Sequence, residues 1–112
     1  MAIVRLYTGD DGQSHMEDLD PASHPDLTSM QDATGIQFRV TEAGRFSDWH
    51  NAPRRQFVIV LSGEMEIGIA DGTLRTFGPG DVLLAEDLTG QGHTTRAVGE
   101  SDRVGATIPL SG

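Results

Sequence analysis

From Gly35 onward, turn-forming residues recur about every 8 to 12 positions and separate short β-prone runs. GIQFRVTEAG, EMEIGIADG and TLRTFGPGD alternate apolar and polar side chains. RQFVIVLSG and DVLLAED are compact apolar runs, HTTRAVGES is mixed, and DRVGATIPL comes last. Runs this short bury a face only by pairing with one another, and no helical stripe exceeds two turns. The pattern predicts an all-β sandwich or barrel of about eight to ten strands. Its turns have recognisable chemistry. Ser62-Gly63 reads as a two-residue hairpin loop and Asp71-Gly72 as a type I′ turn, while Pro79-Gly80 presets φ at one position and permits a positive φ at the next.

Residues 1–34 read differently. AIVRLY is short and β-prone and suits an edge strand; TGDDGQS is loop chemistry, and the prolines of DPASHPDL exclude a regular helix or central strand. Seven acidic residues and no arginine lie between Leu6 and Phe38, so this stretch reads as a solvated acidic arm rather than a cation site. A chain of 112 residues supports one core. Residues 1–34 are therefore an edge strand and arm of the same domain as the barrel at residues 35–112.

Composition excludes several functions. All eight basic residues are arginine, which removes Schiff-base chemistry and a lysine general base. Cysteine is absent, and with it disulfides, thiolate nucleophiles and cysteine metal ligands. A net charge of −9 opposes nucleic-acid binding, whose affinity comes largely from cations that displace counterions. The longest apolar run, Phe57 to Leu61, is far short of the ~18 residues of a membrane helix, and MAIVRLYTGDDG lacks a basic-then-apolar leader. These features predict a soluble, cytoplasmic protein that does not engage membranes. Serines such as Ser62 and Ser101 lie in turns, with no nucleophile elbow, and no glycine loop opens a helix to cradle phosphate.

Leu-Ser-Gly at Leu61 to Gly63, Phe-Gly-Pro-Gly-Asp at Phe77 to Asp81, and a later histidine at His93 stand in an order that resembles the small single-domain cupins. The resemblance covers about Gly35 to Leu110. It implies a jelly-roll β-barrel, here with an extended N-terminal arm, and a homodimer in which the N-terminal strand pairs across the interface. It also implies up to four protein ligands for a divalent metal such as iron, manganese, nickel or zinc. The family's first motif is His-x-His, then glutamate, then glycine. Counting back from Gly63 places Gln56 at the glutamate, Ala52 at the second histidine and His50 at the first; His93 resembles the histidine of the second motif. The metal set is thus reduced to His50, His93 and the neutral amide of Gln56, so that a divalent transition metal is at most weakly held.

Parity sorts the remaining candidates. His50, Arg54 and Gln56 share a face if the strand continues through Pro53, and that face is the cavity under the resemblance. His50 otherwise occupies a turn before Pro53. Asp87 or Glu86 at the barrel rim would orient His93 as a metal-free general base, or else EDLTG is a polar loop. Arg39 and Arg54 would anchor an anion if inward and be solvated if outward; Arg96 is a similar case. Trp49 and Phe46 flank the first motif, where Trp49 would stack on a ligand or serve as a rim contact. His15 becomes relevant if the arm covers the barrel mouth, and His24 is the weakest of the histidines.

Two functions from different classes follow. One is a small enzyme that performs isomerisation, dehydration or cyclisation with catalytic His50, His93 and Asp87. The other is a non-catalytic module that binds a small anionic molecule through Arg39, Arg54, Gln56 and Trp49.

Overall fold

A computed structural model describes residues 1–111, and its sheets account for the alternation read above. Ten strands form: β1 Ile3–Thr8, β2 Ser14–Asp18, β3 Gln37–Thr41, β4 Phe46–His50, β5 Gln56–Ser62, β6 Glu64–Gly68, β7 Leu74–Phe77, β8 Val82–Glu86, β9 His93–Val98 and β10 Arg103–Pro109. Six make one sheet in the order β2-β1-β8-β5-β10-β3, and four make the other in the order β4-β9-β6-β7. The inward positions of the two sheets form the core: Val4 and Leu6 of β1, Val60 of β5, Met65 and Ile67 of β6, Phe77 of β7 and Leu83 of β8. The only helix among the described residues is one turn, α1 Pro25–Thr28. Pro25 opens it, a position where the missing N–H costs nothing, so proline starts a helical turn here instead of excluding one. Among the described residues, no helix is long and apolar enough to cross a membrane.

Two of the three turns differ from expectation. Gly63 does have a positive φ, 74°, but β5 and β6 belong to different sheets, so Ser62-Gly63 is a corner between layers and not a hairpin. A side chain at Gly63 would meet the Asp102 carbonyl oxygen at 2.6 Å. Between β6 and β7 the hairpin is real, yet the only positive φ is at Gly72, and the Gly72 N–H bonds the Ile69 carbonyl. That is a type I turn closed by a left-handed glycine, not type I′, which needs a positive φ at Asp71 as well. The third turn is as read: the Asp81 N–H bonds the Gly78 carbonyl across Pro79 and a Gly80 with φ 88°.

The N-terminal strand requires a larger correction. β1 is interior, antiparallel to β2 on one side and parallel to β8 on the other. Both its edges are occupied, so the strand expected to pair across a homodimer has no edge to offer. Val4 and Leu6 are fully buried, which explains the inward placement: AIVRLY carries too much apolar surface for a sheet edge. Asp81 fixes its start by accepting the N–H groups of Ala2 (2.8 Å) and Gly78 (2.9 Å), and those bonds hold its carboxyl below the ordinary range. The exposed apolar edge is β3, whose Phe38 and Val40 are 68% and 71% accessible.

Candidate functional site

The register of β4 against β9 sets His50 directly opposite His93, after an irregularity between Ser47 and His50. Gly92, with φ 77°, makes this approach possible: a Cβ there would lie 2.2 Å from the His50 carbonyl oxygen. The two imidazole centroids are 4.4 Å apart at an interplanar angle of 58°. His50 Nδ1 lies 2.7 Å from the Asp48 carbonyl, and a carbonyl only accepts, so Nδ1 carries the proton and Nε2 is left for an occupant. Replacing Gly92 by alanine is expected to cost well over about 1 kcal/mol and to part the imidazoles, whereas Gly99→Ala, also at positive φ but into open space, should cost about 1 kcal/mol. Equal melting temperatures for the two variants would show that the close approach at Gly92 is not required.

His93 is held from behind. Its Nδ1 is 2.5 Å from Oδ2 of Asp87, the residue just past β8, and the same oxygen accepts the Ser14 hydroxyl at 2.8 Å. Asp87 is 0% exposed, His93 5% and Ser14 2%. With two donors converging on one carboxylate oxygen, His93 Nδ1 carries a proton, and in the neutral imidazole its Nε2 then presents a lone pair. The other carboxylate oxygen, Oδ1, is buried without a partner. Such unsatisfied atoms are rare and call for a specific reason, of which a catalytic role is one.

His93, backed by Asp87, forms part of the wall of a cavity of about 300 Å³ between the sheets, at the lower end of the range for small-molecule pockets. His50, Gln56, Arg54 and Arg39 line it, and Ala52 does too, but the strand does not continue through Pro53: His50 ends β4 in one sheet and Gln56 opens β5 in the other, so a shared strand face is not what brings them together. Trp49 does not. It lies on the opposite face of β4 from His50, 44% exposed, so it is no cavity ligand. Arg96 also faces out, with its guanidinium 4.6 Å from the Phe46 ring centroid. His15 bonds Asp11 at 3.0 Å and His24 faces the Asp20 carbonyl; neither lines the cavity.

Glu86, the neighbour of Asp87, points the other way and pairs with Arg5 (2.6 Å) and Arg55. Burial alone would raise the Glu86 carboxyl, but Arg55 and Arg5 outweigh it and hold the group below its ordinary value of 4.5. A carboxyl held lower in the folded chain contributes stability that is full above the unfolded value and lost as pH falls through the folded one. Glu86→Gln should therefore be less stable than wild type at about pH 7, and should lose less further stability between about pH 5 and 3. Urea titrations at each pH check this; parallel stability–pH curves would count against the pairing.

The donor set does not fit a firmly bound divalent metal. Two neutral imidazole nitrogens and a neutral amide provide no charge to hold the ion, and Ala52 supplies only a methyl group. No group of three or more His, Cys, Asp or Glu converges among the described residues.

Two residues of the site, one behind His93 and one in the cavity wall, escaped the sequence reading. Ser14 fell in the stretch read as a solvated arm, and only its parity with Met16 signalled an inward face. Arg103, in the closing run DRVGATIPL, shares parity with Gly105 and Thr107, and all three line the cavity.

No protein-family model matches the sequence, and no curated protein matches it. Solved structures do match in fold. A cupin 2 conserved barrel domain protein from Salinispora arenicola CNS-205 superposes with a TM-score of 0.55 at 18% identity, over 87% of this chain and 88% of that one. A conserved protein of unknown function from Streptococcus pyogenes gives 0.55 at 21% identity, over 75% and 68%. A protein with a double-stranded β-helix domain from Klebsiella pneumoniae gives 0.53 at 17%, over 72% and 75%. The chain has the all-β cupin fold. Within that class its architecture is that of a small cupin-type barrel, as the Leu-Ser-Gly and Gly-Pro-Gly-Asp signals implied.

Proposed function

We propose that this protein is a small-molecule enzyme in which His93 Nε2, oriented by Asp87, takes a proton from a substrate carbon or hydroxyl in the cavity, with His50 Nε2 beside it to return or relay a proton. The observation that carries this reading is the buried Ser14–Asp87–His93 chain ending at the cavity wall. A histidine that merely filled space would not need a fully buried carboxylate behind it. Isomerisation, dehydration and cyclisation all share such a proton abstraction, typically beside a carbonyl. Binding without catalysis is the competing reading, favoured by the cavity arginines.

The test is proton exchange. A panel of small keto and hydroxy acids is incubated with the protein in D2O and followed by proton NMR. Loss of a C–H signal is expected for at least one compound with wild type, slowed about 100-fold or more in His93→Gln. Exchange at the same rate in both proteins would remove His93 as the base, and none for compounds that demonstrably bind would establish the binding-module reading instead. The exposed apolar face of edge strand β3 supports a homodimer through that edge; light scattering should show twice the monomer mass, and a monomer at micromolar concentration would dismiss it.

A further inference from the structure

The acidic character of the chain stops at the cavity. Of 17 acidic and 8 basic residues overall, three arginines and no carboxylates line it among the described residues. Arg103 is the most constrained of the three. Its Nη1 donates to the Met65 thioether at 2.8 Å and its Nη2 to the Thr41 hydroxyl at 3.1 Å, while its Nε is buried with no partner. No acidic group pairs with it among the described residues. A thioether is a weak acceptor and a hydroxyl a neutral one, so a partly buried cation is left without a counter-charge.

Arg39 increases this positive charge. In the β3–β10 register Arg103 faces Thr41 and Arg39 faces Gly105, so the two arginines are diagonal neighbours on the cavity face, roughly 7–8 Å apart at the backbone. Arg39 bonds only the neutral Gln37 side chain, at 3.2 and 3.3 Å. Burial holds the Arg103 guanidinium below its usual range, and the Arg39 charge adds to that effect. A bound anion would relieve both. The site also lies at a definite place relative to the dyad. Met65 pairs with Ala97, four residues along β9 from His93, a displacement of roughly 13 Å along the strand.

We infer that the cavity takes a small organic acid whose carboxylate lies against Arg103 and Arg39 while the rest of the molecule extends toward His93. The Nη atoms of Arg103, bonded only to a weak and a neutral acceptor, and the Arg39 guanidinium, bonded only to a neutral amide, offer charged donors that a carboxylate takes in preference. This names a substrate class for the acid–base reading above and rests on it for the chemistry at the His93 end; the anion site itself requires no chemistry.

The probe is succinate, with neutral succinamide and inorganic phosphate as comparisons, titrated into the full chain and read by calorimetry and by the arginine Nε–H signals in nitrogen-15 NMR. Succinate is expected to bind, to shift the Arg103 signal, and to bind about tenfold more weakly in Arg103→Gln and severalfold more weakly in Arg39→Gln. Arg39 is exposed, so its variant reports even if Arg103→Gln does not fold. Equal affinity for succinamide, or unchanged succinate binding in Arg39→Gln together with an unmoved Arg103 signal, overturns the site. Phosphate binding more tightly than succinate overturns the carboxylate assignment. Because this titration needs no turnover and the proton-exchange assay does, failure of one is distinguishable from failure of the other.

Discussion

Replacing Asp87 by alanine is expected to lower unfolding stability by about 3 kcal/mol, because it leaves both His93 Nδ1 and the Ser14 hydroxyl buried without their shared acceptor. Asp87→Asn should cost less, since the amide preserves the shape and can still bond both neighbours. Its effect on chemistry should nevertheless be large. An asparagine that turns its NH2 toward His93 makes Nδ1 an acceptor, and the imidazole proton moves to Nε2, the nitrogen that faces the cavity. The base is then lost while the fold stands, which in comparable arrangements costs about 10²- to 10⁴-fold in rate. Two measurements separate these effects. Urea unfolding reads the first, and the nitrogen-15 shifts of the His93 ring read the tautomer directly: wild type should carry its proton on Nδ1 and Asp87→Asn on Nε2. The same tautomer in both proteins would mean that Asp87 does not set the proton on His93.

That dyad was partly legible in advance. His93 and Asp87 lie on opposite sides of a glycine-rich loop, and the two-residue period of DVLLAED places Asp87 on the face of Leu83 and Ala85. Glu86 and Asp87 were not distinguishable without knowing which face was inward, and the structure settles it: Ala85 and Asp87 are buried, while Glu86 turns outward to Arg5 and Arg55. The apolar strands β5, β6, β8 and β10 announced themselves because one buried face imposes alternation or a continuous apolar run. Strands β2 and β4 did not. SHMED and FSDWH carry no such pattern, since both are sheet edges whose side chains are largely solvent-facing. Edge strands are defined by the backbone bonds they receive, and those leave little trace in side-chain chemistry. The same blindness hid Ser14, and it left Trp49 open between a ligand stack and a rim contact, of which the structure gives an outward position opposite His50.

The second large effect is expected far from the histidines. Leu6 is fully buried within the core cluster, on a strand hydrogen-bonded along both sides. Leu6→Ala should therefore cost about 2–5 kcal/mol, the loss of apolar burial plus the cavity left behind. Ile36→Ala, at a side chain 58% exposed, should change stability by no more than about 0.5 kcal/mol. Urea unfolding of the two variants decides between an N-terminal segment that is part of the core and one that merely decorates the barrel; similar small losses would restore the latter. The consequence extends to the site. β1 carries the chain into β2, and β2 begins at Ser14, whose hydroxyl bonds Asp87. Loosening β1 thus loosens one of the two donors that hold the carboxylate behind His93. Leu6→Ala should reduce proton exchange more than its fraction unfolded accounts for, while Ser14→Ala should weaken the same step with a smaller loss of stability, about 1 kcal/mol. If the Leu6→Ala protein that remains folded exchanges at the wild-type rate, the N-terminal strands support the fold alone, and the orientation of His93 depends on Asp87 without them.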